Sequence, residues 1–259
     1  MKDRQCAPVM IIGAHRSGTT ATARALELLG LQIGQRLDSH AESKRLQELH
    51  DAYLRRVGAS WYEPEPFLDS LTTAEGQRNC AEYLRENIGC DFAEIFGYRK
   101  NIKGLWLLAR MKMGTPWGWK EPRTTLFAPA WLEVFPEARI VQVIRHPMAA
   151  AISIRERELT FQRAGDAPCG RLDDLDYDVN LVRRYIEIGE KLEHRTQTYR
   201  RVRFENIQAD AENSLADLAH FCGLRFSAKQ LKAAAATIRP GAAARSTSPS
   251  GRCEAESLR

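Results

Sequence analysis

Ile12-Gly13-Ala14-His15-Arg16-Ser17-Gly18-Thr19-Thr20 follows an apolar run from Pro8 to Ile12 and precedes Ala21, Ala25, Leu28 and Leu29. The apolar run reads as a short buried strand that Gly13 ends, and the later residues repeat on one face of a helix. A glycine-punctuated turn between strand and helix aims backbone N–H groups and a positive dipole end at one point, which suits phosphate or sulfate. The spacing Gly13-x-x-x-x-Gly18 matches the nucleotide-binding P-loop, but that motif continues with lysine and then serine or threonine. Here it continues Thr19-Thr20, and the cation stands earlier, at Arg16.

Working outward, Ile140 to Ile144 is a β-branched run and hence a second buried strand. It ends in Arg145-His146-Pro147, where proline suits the first position of a new helix, and Ser153 lies further along that helix. Arg145 therefore sits at a strand's carboxyl end, where open parallel sheets bind ligands. Two anion sites at strand ends call for a ligand with two separated anionic groups. Strands separated by helical patterns give the fold class: α/β, a P-loop-like parallel sheet flanked by helices on both faces.

The 259 residues are enough for one domain, expected over 1–239, with a substrate-facing insertion at about 35–115 and a flexible tail at 240–259. No stretch approaches the ~20 apolar residues of a membrane span. The start, Met-Lys-Asp-Arg-Gln, lacks the apolar region of a signal peptide. Cys6, Cys80, Cys90, Cys169, Cys222 and Cys253 are scattered without C-x-x-C spacing, which argues against a zinc site or disulfide framework and for a reducing cytoplasm. A net charge of +5 favours anionic ligands, and with no groove-reading motif it does not imply nucleic acid.

Helical spacing is expected at 18–30, through about 57, at 74–88 and 92–112, then at 124–135, 147–160 and 178–198, with another helix around Leu215 to Cys222. Short strands are expected at 30–34, 117–120 and 201–205. Segment 58–73, with Trp61, Tyr62, Pro64, Pro66 and Phe67, reads as an irregular loop. Those aromatics, with Phe92, Phe96, Tyr98 and Trp106, are expected in the core. Arg99, Lys100, Lys103, Arg110 and Lys112 make the neighbouring stretch basic, a pattern typical of a solvated face that would also suit an acidic acceptor.

Four segments together resemble the sulfotransferases that use 3′-phosphoadenosine-5′-phosphosulfate (PAPS). His15 to Thr20 is similar to their Pro-[Arg/Lys]-Ser-Gly-Thr-[Thr/Ser] motif, with His15 in place of proline. Arg145 and Ser153 reproduce their arginine and serine eight residues apart. Trp119-Lys120-Glu121-Pro122-Arg123-Thr124 resembles the Lys-[Asp/Glu]-Pro stretch of bacterial and tyrosylprotein sulfotransferases. Val202-Arg203-Phe204-Glu205-Asn206-Ile207 resembles their Val-Arg-Tyr-Glu-Asp-Leu strand, with Phe204 in place of tyrosine. The four stand in the family's order over about residues 9 to 224.

The resemblance implies PAPS as cofactor and no metal. His15, Arg16, Ser17, Gly18, Thr19 and Thr20 would hold the 5′-phosphosulfate, and Arg145 and Ser153 the 3′-phosphate, with Arg239 and Arg245 as further basic residues near it. Lys120 and Arg16 would stabilise charge on the transferring group. Lys120 also reads as an exposed strand-end lysine, although Trp117 and Trp119 favour partial burial. Glu121 and Arg123 read as a structural ion pair in preference to catalytic groups.

A hydroxyl or amine acceptor must lose a proton, so a carboxylate or histidine should stand within reach. Glu42 shares spacing with Leu46, Leu49 and Tyr53, and Ala41-Glu42-Ser43-Lys44 resembles the segment that supplies the base in tyrosylprotein sulfotransferases. Ser39-x-x-Glu42 equally has the form of a capping box, in which Glu42 would cap backbone. His40 is the other candidate base; Pro122 occupies the place of the catalytic histidine in cytosolic small-molecule sulfotransferases. Small-molecule, carbohydrate, lipid and peptide acceptors all remain open, and a homodimer is compatible with the sequence. The alternatives are an ATP-dependent P-loop kinase, disfavoured by Thr19 in place of the motif lysine, and a non-catalytic protein binding an anionic glycan.

Overall fold

The computed structural model describes residues 7–35, 37–98, 101–165 and 169–238. The tail at 240–259, Arg239, Arg245, Arg99 and Lys100 lie outside the described residues. Strand β1 (Val9–Ile12) leads through the glycine loop to helix α1 (Thr19–Leu28). Helices α2 (Lys44–Arg56), α3 (Glu65–Ser70), α4 (Ala74–Ile95) and α5 (Ile102–Lys112) come before strand β2 (Gly118–Lys120). Helix α6 (Thr124–Val134), strand β3 (Arg139–Ile144) and helices α7 (Pro147–Arg163) and α8 (Leu175–Glu190) follow. Strand β4 (Tyr199–Arg203) and helices α9 (Phe204–Ala209), α10 (Ala211–Phe221) and α11 (Ala228–Ala235) complete the described chain.

The sheet has the order β2-β1-β3-β4 and is parallel throughout. In its register Ile11 lies opposite both Lys120 and Val141, so β1, β2 and β3 end side by side along one edge. Alternate residues of β1 serve different faces, as strand geometry requires. Met10 and Ile12 join Ile140 in a core built from α2, α4, α6, α7 and α8, whereas Val9 and Ile11 join Val141 and Val143 against α1, α10 and α11. Burial on both faces is why these strands read as continuous apolar runs.

A polar group crosses this interior once on β3. Gln142 is fully buried, donates from Nε2 to the Ile186 carbonyl at 3.0 Å and accepts from the Tyr199 hydroxyl. Its amide passes where a side chain at Gly189 would be: a Cβ there would stand 2.2 Å from Gln142 Nε2.

Several elements differ from the sequence expectation. Residues 30–34 contribute only an isolated bridge, Gln32 to Trp117, because Gly30 turns the chain at positive φ. The expected loop at 58–73 contains α3, with Pro64 at its N-cap and Pro66 in its first turn, where proline is favourable. The helical patterns at 74–88 and 92–112 redistribute into α4, which runs on to Ile95, and α5, capped by Asn101 accepting from the Gly104 N–H at 2.9 Å. Helix α8 stops at Glu190 rather than continuing to 198, and Phe204 opens α9 instead of lying in a strand. Helix α11, starting from a Ser227–Gln230 capping box, was not anticipated.

Trp61, Phe67, Phe96 and Tyr98 are core residues as expected, but Trp106 is 55% exposed. Cys169 is disulfide-bonded, contrary to the expectation from cysteine spacing, while Cys80 and Cys222 are buried free thiols. Among the described residues no helix is long and apolar enough to cross a membrane.

Candidate functional site

The loop after β1 is shaped by backbone that few residues tolerate. Gly13 has φ 148°, and a Cβ there would lie 2.3 Å from the Val143 carbonyl oxygen of the neighbouring strand. Its N–H donates to Thr125 Oγ1 at 2.9 Å, which ties the loop to the first turn of α6. The Ser17 hydroxyl donates to the Ala14 carbonyl at 2.5 Å and closes the turn. Gly18, at φ 92°, precedes α1, and the Phe204 ring packs so close that a Cβ would meet it at 2.3 Å. Arg16 is left-handed at φ 65°, a strained conformation for a non-glycine residue.

Arg16 links the two anion sites expected from the sequence. Its Nε donates to Ser153 Oγ at 2.9 Å, and Arg145 Nη1 donates to the Arg16 carbonyl at 3.1 Å. Loop, strand end and helix α7 therefore converge on one residue. Burial and the nearby Arg145 guanidinium both lower the Arg16 pKa. Arg157 lies one helical turn beyond Ser153, with its guanidinium 5.3 Å from the Trp61 ring centroid. Its Nε is buried with no hydrogen-bond partner among the described residues. Burial first, then Arg16, lowers the Arg157 pKa to about 10.

The His15 ring packs tilted against Trp61, with centroids 4.0 Å apart, and its buried Nε2 also has no hydrogen-bond partner among the described residues. Burial, reinforced by Arg157, Arg123, Lys120 and His40, pushes its pKa well below the usual histidine range. The imidazole is therefore held neutral, beside the guanidinium of Arg157. Cations held this close favour an anion among them.

Lys120, at the end of β2, is only 2% exposed. Its Nζ donates to Thr20 Oγ1 at 3.1 Å and forms an ion pair with Glu42 Oε1. Gln47 Nε2 donates to Glu42 Oε2 at 2.9 Å and to Asp38 Oδ2 at 3.0 Å, and Asp38 Oδ1 accepts from the Glu42 N–H at 2.9 Å. Burial alone would raise the Asp38 pKa, but hydrogen bonds from His40, Glu42 and Gln47 hold it at about 2. Burial raises the Glu42 carboxyl above its ordinary value, with Lys120 opposing the shift.

Glu42 is not a helix cap. Ser43 caps α2, accepting from the Leu46 N–H at 3.4 Å, and Glu42 precedes the helix instead of lying on its face. Ala41, left-handed at φ 60°, turns the chain just before it. Among the described residues, Arg16 and Ala41 are the non-glycine residues with positive φ, and both belong to this site. His40 has Nδ1 3.3 Å from Ser39 Oγ and 3.8 Å from Asp38 Oδ2. A crevice lined by Ile33, Leu37, Phe96 and Trp119 lies beside Lys120.

Behind Lys120, Glu121 is fully buried and pairs with Arg123 Nη1 at 2.8 Å and His50 Nδ1 at 2.6 Å. Arg123 Nε meets Asp51 at 2.6 Å, and Trp131 Nε1 donates to His50 Nε2 at 3.0 Å. Burial would raise the Glu121 pKa, but Arg123 and His50 outweigh it and hold the carboxyl at about 2. This network fixes the turn that carries Lys120.

Asp38, Gln47, Thr125 and Arg157 went unnoticed in the sequence. Only Arg157 carried a local signal, four residues after Ser153 on the same helix face. The others reach the site by long-range contacts that spacing does not reveal. Among the described residues no group of three or more His, Cys, Asp or Glu could hold a metal ion.

A family model described as "Sulfotransferase family" matches residues 8–228. No curated protein matches the chain. Among solved structures, the sulfotransferase domain of the Synechococcus PCC 7002 olefin synthase is similar at 17% identity and TM-score 0.48, covering 89% of this chain and 78% of that one. Sulfotransferase STF9 of Mycobacterium avium is similar at 16% identity and TM-score 0.49, covering 90% and 67% respectively. Mouse sulfotransferase SULT7A1, solved with PAP, shows 10% identity and TM-score 0.49, with 90% and 65% covered.

Removing one member of the buried network leaves its partners with uncompensated charge. Glu121→Gln should cost about 3 kcal/mol or more of stability, read as a lower urea midpoint. Because the folded pKa of Glu121 is depressed, its stabilisation is complete above the unfolded value near 4 and is lost as pH falls through about 2. The variant should lack this part of the acid sensitivity. An unchanged midpoint would show that the network does not support the fold.

Proposed function

The chain belongs to the sulfotransferase family, and from that premise and the Lys120–Glu42 pair beside the anion loop we propose that it transfers a sulfuryl group from PAPS to a hydroxyl or amine acceptor, releasing 3′,5′-adenosine bisphosphate. The donor set suits a ligand with two anionic ends. Loop N–H groups, Arg16, Ser17, Thr19 and Thr20 meet one end; Arg145 and Ser153 meet the other; His15 bounds the loop. A Cβ at Gly13 would collide with the Val143 carbonyl and the Ser17 hydroxyl, so only glycine lets the loop turn this tightly. Bound PAPS would supply an activated sulfuryl group whose transfer leaves negative charge on a phosphate oxygen.

The chain's own residues divide the remaining work. Lys120, held by Thr20 at the loop's edge, stabilises the charge that develops on that oxygen, and Arg16 adds to the same field. Glu42 accepts the proton lost by the acceptor as its oxygen or nitrogen bonds to sulfur. Each carboxylate oxygen has two lone pairs, so Glu42 keeps acceptor capacity beside Lys120 and Gln47. Its raised pKa makes it a stronger base than an exposed carboxylate. Asp38 and Gln47 orient it. The contact of Glu42 with Lys120, and the turning of His40 toward Ser39 and Asp38, favour Glu42 over His40 as base. This arrangement supports a design akin to the tyrosylprotein enzymes. The disulfide at Cys169 counts against the cytoplasmic setting suggested by the cysteine spacing.

Calorimetric titration tests the cofactor first. The protein should bind 3′,5′-adenosine bisphosphate in preference to magnesium-ATP, and Arg145→Ala should weaken that binding by roughly tenfold or more, the scale of one lost charged contact. Preference for magnesium-ATP would favour the kinase reading, and silence toward both would favour anionic-glycan binding.

With PAPS and an accepted substrate, Lys120→Ala should lower turnover roughly 100-fold or more, as for the loss of one electrostatic stabiliser. Near-normal turnover in the folded variant would remove Lys120 from the chemistry. Glu42→Gln keeps an oxygen for Lys120 but cannot take a proton, and should lower kcat by roughly 100-fold at similar KM. Retained activity that is lost instead in His40→Ala would transfer the role to His40.

A further inference from the structure

Helix α5 is anchored along one side and bare along the other. Gly104 and Met111 are buried, Leu107 and Leu108 pack against the core, and the Leu107 carbonyl accepts from Gln32 Nε2 at 3.1 Å. On the opposite side Ile102 is 88% exposed, Leu105 63% and Trp106 55%, and Met113, just past the helix end, is 85% exposed. At the helical repeat these positions, with exposed Ala109, form one continuous stripe. Single apolar residues are ordinary on protein surfaces; a contiguous stripe marks an interaction site.

Charge identifies the partner. The stretch 99–112 carries Arg99, Lys100, Lys103, Arg110 and Lys112, and no acidic residue occurs between Glu94 and Glu121. Arg110 is exposed beside the stripe, with its guanidinium 4.7 Å from the Trp106 ring centroid. A second copy of the chain, docked face to face, would bring two Arg110 guanidiniums together with no acidic residue of this stretch to answer them, which disfavours self-association here. An eleven-residue helix is also too short to span a bilayer. Its pattern of apolar stripe, tryptophan and basic flanks suits lying in the headgroup region of an anionic membrane.

We propose that α5 docks this protein peripherally on an anionic phospholipid bilayer, with Ile102, Leu105, Trp106 and Met113 entering the boundary between headgroups and acyl chains while Arg110 meets lipid phosphates. The proposal rests on exposure and charge, independently of the transfer chemistry.

Sedimentation with phosphatidylcholine vesicles, with and without about one-third phosphatidylserine, provides the test. The wild-type chain should pellet with the anionic vesicles and be released by high salt. The double variant Leu105→Ser, Trp106→Ser, which changes exposed side chains, should lose binding. Arg110→Glu should weaken it roughly tenfold, whereas Ile152→Ser, at an exposed apolar position on α7, should leave it unchanged. Circular dichroism and the binding of 3′,5′-adenosine bisphosphate report whether each variant is folded. Wild-type protein remaining in the supernatant would overturn the proposal, as would salt-insensitive binding to neutral vesicles or full binding by the double variant. Light scattering that shows a dimer dissolved by the double variant, without vesicle binding, would assign the stripe to a second copy instead.

Discussion

A lysine buried at a strand end must have a counter-charge, and the pairing of Lys120 with Glu42 meets that need between the end of β2 and the turn before α2. Much of the nearby architecture follows from it. Ala41 takes a left-handed conformation, Ser43 rather than Glu42 caps α2, and Asp38 and Gln47 occupy the carboxylate's remaining sides. The same pair fixes where α2 begins relative to the glycine loop, because Lys120 also holds Thr20. Parallel pairing then aligns the ends of β1, β2 and β3, so the loop, Lys120 and Arg145 share one edge without any further device.

Two electrostatic regimes lie within a few residues of each other. Glu121, Arg123, His50 and Asp51 form a buried group in which each charge has a partner. The groups in front of it are different: burial first, then Arg145, lowers the pKa of Arg16; burial, then Arg16, lowers that of Arg157; and burial, reinforced by Arg157, keeps His15 neutral. The balanced group supports the fold, whereas Arg16, Arg145 and Arg157 stand as cations close enough to shift one another. Neighbouring residues 120 and 121 thus belong to different machinery because the chain turns sharply after β2.

The parts legible in the sequence were those encoded locally. The strand, glycine loop and helix at 8–30 showed in periodicity and glycine placement, and Arg145-His146-Pro147 marked a strand passing into a helix. Their convergence on Arg16 was not visible, because it depends on the parallel register and on the path of α7. Glu42 divided evenly between base and cap for a physical reason: a Ser-x-x-Glu pattern carries the same residues whichever serine begins the helix. The structure gives the cap to Ser43, and the pairing of Glu42 with the distant Lys120 is a contact that spacing does not reveal. Helix α3 hid because prolines punctuate loops and also stand in a helix's first turn, and the break between α4 and α5 was read too early because apolar spacing alone does not show where one helix ends and the next begins.

Gln142 and Gly189 carry a lesson of another kind. The amide of one occupies the volume that a methyl group on the other would need, and it is tied there by Ile186 and Tyr199. Neither position can change freely: alanine on α8 demands a shorter residue on β3, and a shorter residue on β3 leaves a buried hydroxyl and carbonyl in search of partners. Under mutation the two positions behave as one site, so in diverging sequences their identities should change together or not at all.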